Sequence, residues 1–293
     1  MTAHAVPRAL HPRRFARVLL AARVIHPFPT ALNVVATMVL AAIANDGLPA
    51  PAVLSRLAAA MFCAQAAIGA TNDYFDRDLD ALTKPWKPLV RGAIEPGAVL
   101  ALAAVFAVVA GLLSVTFGPL SVAAGAIGLA AGLAYDVRLK RTVLSAVPFM
   151  VALAALPFWV WLSLDRFDSE LWWLLPFAPL AGLAVHLANT LPDLDSDASA
   201  GVRGMAHTIG RRASIALAWS SLAAAIMFAL LLGLRLDYGW VPVLLGAGAA
   251  AVLLSSAIVI YARRPGNGAL QIGFGLIGMA TAALAAGWLA GVT

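Results

Sequence analysis

Long apolar runs alternate with short polar segments along almost the whole chain. A helix needs about 20 apolar residues to cross the hydrocarbon core. Runs of that kind predict spans at residues 24–44, 52–70, 98–117, 120–135, 143–164, 171–191, 213–234, 240–262 and 268–292. The fourth is short and rich in Gly and Ala, which predicts packing inside the bundle. Small residues recur in the other runs too and let helix backbones approach closely. Trp172, Trp173, Trp240 and Trp288 fall near span ends, where interfacial aromatic rings sit. The expected fold is all-α, a polytopic membrane bundle of about nine transmembrane helices around a central cavity.

The polar segments orient the bundle. Arg77, Lys84, Lys87 and Arg91 follow the second span; Arg138, Lys140 and Arg141 the fourth; Arg203, Arg211 and Arg212 the sixth; Arg263 and Arg264 the eighth. Only Arg56, Arg166 and Arg235 fall on the other side. By the positive-inside rule the N-terminus and these basic loops are cytoplasmic and the C-terminus lies outside, as expected for a protein of the cell's inner membrane. Residues 1–23, with Arg8, Arg13, Arg14, Arg17 and Arg23, are expected to form a basic cytoplasmic arm. The apolar stretch there is too short for a cleavable signal. Residues 24–293 are expected to form a single transmembrane domain with no soluble domain appended.

Composition agrees: 62% of the residues are hydrophobic and 12% charged, against roughly 25% charged in soluble domains. The net charge of +6 is explained by the basic face alone, so neither a nucleic-acid partner nor a protein partner is expected. Membrane lipids are the expected surroundings. The lone Cys63 excludes an intrachain disulfide and reads as a small packing residue.

The acidic residues are clustered. Asp73, Asp76, Asp78 and Asp80 follow the second span; Asp193, Asp195 and Asp197 follow the sixth. Asn72 and Asn189 precede the two clusters. If the second span continues as a helix, Asp73, Asp76 and Asp80 share one face; Asn189, Asp193 and Asp197 do the same after the sixth, with Pro192 loosening that helix end. Like charges at helical neighbours repel unless a cation sits among them. Mg²⁺ accepts one or two carboxylates together with phosphate oxygens and water, so two facing acidic helix ends suit a Mg²⁺–diphosphate. A solvated loop is the competing reading for one cluster, and two matched clusters outweigh it. Asp78 and Asp195 point off the shared faces and read as solvated or capping groups.

The basic side chains supply the other half of the expected site. Lys84, Lys87 and Arg91 lie in DALTKPWKPLVRG, stiffened by two prolines and a tryptophan. Arg138 and Lys140 lie in YDVRLKR, and Arg203 follows the second cluster. Lys87, Lys140 and Arg203 read as diphosphate contacts; Arg141, Arg211 and Arg212 read as positive-inside charges. Spans two and six end in the acidic pattern, and spans four and eight in a tyrosine before basic residues, Tyr135 and Tyr261. Two four-helix pseudo-repeats plus one helix follow from this.

At these residues the chain resembles the UbiA superfamily of intramembrane prenyltransferases. NDYFDRDLD, at 72–80, resembles its NDxxDxxxD motif. DLDSD, at 193–197, with Gly201, Arg203 and Ile209–Gly210, resembles its second motif, and Tyr135 with Lys140 its YxxxxK loop. The resemblance spans nearly the whole chain. It implies Mg²⁺-dependent transfer of a prenyl group from an allylic polyprenyl diphosphate to a hydrophobic or aromatic acceptor. Asn72, Asp73, Asp76, Asp80, Asn189, Asp193 and Asp197 would hold Mg²⁺. Asn72, Lys84, Lys87, Arg91, Arg138, Lys140, Asn189 and Arg203 would bind the diphosphate. Lys87, Lys140 and Arg203 would neutralise the leaving group, and Tyr135 would steady the carbocation or touch the diphosphate. The family usually has arginine where this chain has Lys87, and often arginine where it has Ala198; neither change removes a metal ligand.

Acceptors in the superfamily include aromatic acids, quinone precursors, glycerophospholipids, phosphoribose, haem and chlorophyllide, and an aromatic or quinone-precursor acceptor ranks first. Some relatives cyclise the prenyl chain without an acceptor. His26 and Asn33 are acceptor-side candidates against a packing role, and His186 reads as a packed polar residue. A cation-coupled transporter is the rival from another class. It predicts ionisable groups near the bilayer midplane, whereas these charges lie at span ends.

Overall fold

The computed structural model describes residues 23–199, 201–236 and 239–292. Among them, nine apolar helices dominate: α1 (Pro27–Ala44), α2 (Pro51–Phe75), α4 (Pro96–Val115), α5 (Pro119–Val137), α6 (Val147–Ser163), α7 (Leu174–Thr190), α10 (Arg211–Arg235), α11 (Trp240–Arg263) and α12 (Asn267–Val292). Three short helices, α3 (Arg77–Thr83), α8 (Leu194–Ser199) and α9 (Met205–Ile209), occupy the connections after α2 and α7. No strand occurs among the described residues. Eight helices are long and apolar enough to cross a membrane, and α6 is slightly shorter. The chain is an integral membrane protein. Most of the basic arm, with Arg8, Arg13, Arg14 and Arg17, lies outside the described residues.

The helices begin where the sequence prepares them. Pro27, Pro51, Pro96 and Pro119 each open a helix. There their fixed φ and missing N–H cost nothing. The helices pack in a ring: α1 on α2, α2 on α4, α4 on α5, and so on through α6, α7, α10, α11 and α12, with α12 returning to α1. In the first unit α2 packs on both α1 and α4; in the second α7 packs on both α6 and α10. The two helices that lead into the acidic segments thus hold equivalent places. Trp161, Leu174, Phe177 and Trp288 lie in the main core.

Two expectations about packing are corrected. The fourth span, α5, is not buried in the bundle. Only 17% of its most apolar stretch is buried, against 56% for the stretch containing α7. Its Ala124, Gly125, Ala126 and Gly128 line a cavity. Trp288 is not an interfacial ring: it is fully buried, edge-on to Phe177 at 4.9 Å.

The closest helix approach joins α11 to α12. A Cβ on Gly287 would lie 2.5 Å from the Pro242 carbonyl oxygen and 2.6 Å from Gly246 Cα. One turn on, the Gly239 N–H donates to the Gly291 carbonyl at 2.8 Å. Gly287 and Gly291 form the small-xxx-small spacing that lets two backbones touch. Gly287→Leu is expected to lose about 1–3 kcal/mol through overpacking, read as a lower unfolding temperature in detergent. Gly248→Ala on the facing helix α11, where nothing lies within 4 Å, should leave that temperature unchanged.

Candidate active site

Helix α2 continues past residue 70 to Phe75, so Asn72 and Asp73 stand on its last turn. The single continuous face expected for Asp73, Asp76 and Asp80 does not form. The helix breaks at Asp76, which ends α2 and caps α3. Asp73 and Asp80 turn one way and Asp76 the other.

The first pair meets Lys87. Its Nζ donates to Asp73 Oδ1 at 2.7 Å and to Asp80 Oδ2 at 2.6 Å. Both carboxylates are almost wholly buried, at 1% and 3% side-chain exposure. A buried acid without a counter-charge is strongly destabilising. His26 Nε2 also lies 2.8 Å from Asp73 Oδ1. The segment bearing Lys87 is pinned by Leu89, which packs with Val24, Ala70 and Val99 from the neighbouring helix ends. Lys84, half exposed, sits 3.8 Å from Asp80. Burial alone would push the Lys87 ammonium down, but its carboxylate hydrogen bonds outweigh that and hold its pKa above the ordinary lysine value. Its stabilising contribution is therefore complete at neutral pH and is lost only as pH rises through that elevated value.

Asp76 meets a second cation. Lys140 Nζ lies 2.7 Å from Asp76 Oδ2 and 3.7 Å from Asp136 Oδ1. The Asn72 amide donates to Asp76 Oδ2 at 3.0 Å and to Asp136 Oδ1 at 2.8 Å. Arg141, expected as a plain surface charge, reaches Asp76 at 3.5 Å and the Phe75 carbonyl at 3.3 Å.

The second acidic segment approaches this group. Its helix end is loosened at Pro192, as expected: α7 gives way to a 3₁₀ turn, Leu191–Asp193, and then to α8. Asp193 is exposed and Asp197 partly buried. Asp197 lies within electrostatic reach of Asp76, Lys84, Asp193 and His207. Asp195 pairs at the surface with Arg211 at 2.7 Å, and Asp78 with Arg77 at 3.1 Å, which fits the solvated reading of both. Asn189 is partly buried at the end of α7. Arg91, Arg138 and Arg203 are exposed and make no ion pair among the described residues. Tyr135 packs edge-on against Phe149 at 5.2 Å and faces His186 at 6.0 Å.

The loop bearing Lys140 and the loop bearing Arg203 are tied together. Ser145 Oγ accepts the Met205 N–H at 2.9 Å and lies 2.9 Å from His186 Nε2. Gly204 fits there because a Cβ would come within 2.9 Å of the Lys140 carbonyl oxygen. His186 is thus a packed polar residue, as expected. Among the described residues, no three His, Cys, Asp or Glu side chains converge closely enough to hold a metal by themselves.

Below the acids lies a largely apolar cavity of about 300 Å³, lined by residues of α1, α2, α4, α5 and α6. Ile68, one turn below Asn72, forms part of its wall. Ala64, Gly111, Gly128 and Ala155 leave the space, while Asn33 and Gln65 add an amide pair at 3.3 Å.

Sequence reasoning missed Asp136, although it is an acid at the end of an apolar span, four residues before a lysine. Its burial, at 3% exposure, is a tertiary property with no local signature.

Comparison with known proteins identifies the chain. The model of the UbiA prenyltransferase family matches residues 33–274, and the protein belongs to that family. It is similar to the digeranylgeranylglyceryl phosphate synthase of Methanopyrus kandleri, 28% identical over 80% of this chain and 86% of the relative. It is also similar to the 4-hydroxybenzoate octaprenyltransferase of Ralstonia nicotianae, 30% identical over 69% of this chain and 70% of the relative. A solved structure of a UbiA homolog from Archaeoglobus fulgidus bound to GPP and Mg2+ has the same fold, with a TM-score of 0.68, 16% identity, and coverage of 91% of this chain and 99% of that one. The protein is a prenyltransferase.

Replacing Lys87 should expose how far the buried acids depend on it. Lys87→Met is expected to lose about 3–5 kcal/mol and Lys87→Arg much less, measured as unfolding temperatures in detergent at neutral pH.

Proposed function

We propose that the protein transfers a prenyl group from an allylic polyprenyl diphosphate to an acceptor within the membrane, in a Mg²⁺-dependent reaction. The observation that carries this reading is the placement of two acidic segments, the buried Lys140 and the partly buried Lys87 above an apolar cavity.

The donor set fits Mg²⁺. All the acids offer hard oxygen ligands, and Mg²⁺ needs only one or two carboxylates when phosphate oxygens and water complete its shell. That is consistent with acids that do not converge in threes. Asp136 Oδ2, buried with no hydrogen-bond partner among the described residues, leaves acceptor capacity at the site. Asn72, Asp73, Asp76 and Asp80 would hold the ion on one side and Asn189, Asp193 and Asp197 on the other. Bound Mg²⁺ supplies positive charge where the diphosphate departs.

The chain's own residues do the rest. Lys87 and Lys140, which neutralise the acids, would donate to the diphosphate oxygens where Mg²⁺ took over the carboxylates. Lys84, Arg91, Arg138 and Arg203 ring the polar mouth. The cavity holds the isoprenoid tail and excludes water from C1, with Tyr135 near the reacting end. The C1–oxygen bond breaks with its electron pair leaving on the diphosphate, the acceptor forms its bond to C1, and the acceptor's proton passes to the released diphosphate.

The acceptor carries an anionic group in this reading. Arg23, His26, Trp86 and Lys87 line an open pocket beside Asp73, suited to an aromatic ring with a carboxylate. Similarity to 4-hydroxybenzoate octaprenyltransferases favours an aromatic or quinone-precursor acceptor. Similarity to digeranylgeranylglyceryl phosphate synthases supports a phosphate-bearing lipid as the second reading, and the same cationic pocket suits either. The acid-bearing loops and the N-terminus face the cytoplasm, and the membrane is the inner one.

The test uses purified protein, Mg²⁺ and labelled geranyl, farnesyl and geranylgeranyl diphosphates, with and without aromatic and lipid-phosphate acceptors. Acceptor-dependent product that disappears in Asp73→Ala/Asp193→Ala is expected. A terpene formed without acceptor would make the protein a cyclase instead. Arg23→Ala should raise the acceptor KM about tenfold while leaving the donor KM near wild type, in line with loss of a charge-assisted contact. Ala64→Phe should shift use toward the shortest donor, read from product ratios in mixed-donor assays.

A further inference from the structure

We propose that Asp136 is a positioning residue of the diphosphate site, acting through the side-chain amide of Asn72. This rests on the prenyl-transfer reading above, because the part of Asn72 being positioned is the oxygen that would face the metal.

The case begins with burial. Asp136 stands on the last turn of α5 with only 3% exposure. One of its oxygens, Oδ2, has no hydrogen-bond partner among the described residues. A buried carboxylate is a costly way to fill space; an apolar side chain would pack there without that cost. The carboxylate therefore answers to something polar, and Asn72 is its hydrogen-bonded partner, across 64 residues of sequence.

The geometry fixes what that contact does. Asn72 Nδ2 bridges two acids, reaching Asp136 Oδ1 at 2.8 Å and Asp76 Oδ2 at 3.0 Å. Ionised carboxylates only accept hydrogen bonds, so the nitrogen end of the amide must face both of them. The oxygen end is then directed away from both. With Asp76 alone, a metal drawing on that carboxylate would compete for the amide's only anchor. With Asp136 present, the amide keeps one anchor while Asp76 serves the ion. Lys140, 3.7 Å from Asp136 and 2.7 Å from Asp76, is held by the same pair. Asp136 is thus the fixed acid and Asp76 the exchangeable one.

Isothermal titration calorimetry in detergent tests this without turnover. Mg²⁺ is titrated into protein saturated with geranyl thiolodiphosphate, an unreactive donor analogue, for wild type, Asp136→Asn, Asn72→Ala and the double variant. The isosteric amide can present either end to Asn72, so the orientation is no longer dictated. Asp136→Asn is expected to weaken Mg²⁺ binding by about 10- to 100-fold, the usual effect of removing a group that orients a ligand. In the Asn72→Ala background the same change should add less than about twofold, because residues acting through one another are not additive. Asp136→Ser carries the same comparison if the amide variant does not fold. Unchanged Mg²⁺ affinity in Asp136→Asn, or an equal loss in both backgrounds, overturns the proposal. Wild-type protein that binds no Mg²⁺ with the analogue overturns the prenyl-transfer reading, and this proposal with it.

Discussion

Neutralising buried carboxylates is the constraint on which the rest of the polar face depends. Asp73 and Asp80 sit at helix ends with almost no access to water, and one ammonium, Lys87, serves both at 2.7 and 2.6 Å. Coulomb attraction strengthens as the surroundings lose polarity, and so does the penalty for an unpaired charge. The chain meets this by building the Lys87 segment rigidly. Pro85 and Pro88 limit its conformations, and Leu89 anchors it among apolar side chains of α2 and α4 and Val24, just before α1. Lys140 performs the same service for Asp76 from the far side of Asn72.

The apolar body of the protein serves that arrangement. Helices α2 and α7 hold matching places in the two units, so their acid-bearing ends emerge on the same face. Ser145, His186, Met205 and Gly204 then join the loop after α5 to the loop after α8. The cavity lies mostly within the first unit and α6. That explains why α5 is rich in Gly and Ala yet poorly buried: its small residues create space, whereas those of α11 and α12 close it.

Much of this could be read from the sequence. Apolar run lengths located the membrane helices, and the acidic and basic segments named most of the residues that gather at the polar face. What could not be read was direction. The break at Asp76, where the backbone leaves the helical region at φ −94° and ψ 2°, sends neighbouring acids to different lysines, and no periodicity announces it. Asp136 was passed over because a single acid among basic residues looks like a solvated charge until the fold buries it. Trp288 near a span end looked interfacial, but the ring packs edge-on against Phe177 of α7 inside the main core. His26 reaches Asp73 across 47 residues, a pairing set by how α1 crosses α2.

The spacing of the lysine clamp also bears on how such a protein is made. Lys87 lies 14 residues from Asp73 and 7 from Asp80, whereas the Ser145–Met205 tie spans 60 residues. A ribosome delivers Lys87 immediately after the acids it neutralises. Asp73 and Asp80 therefore never wait for later helices to be compensated, whereas Asp76 waits for Lys140 after α5. Only the joining of the two loops must await α7 and the segment beyond it, which makes that joining a late step of biogenesis.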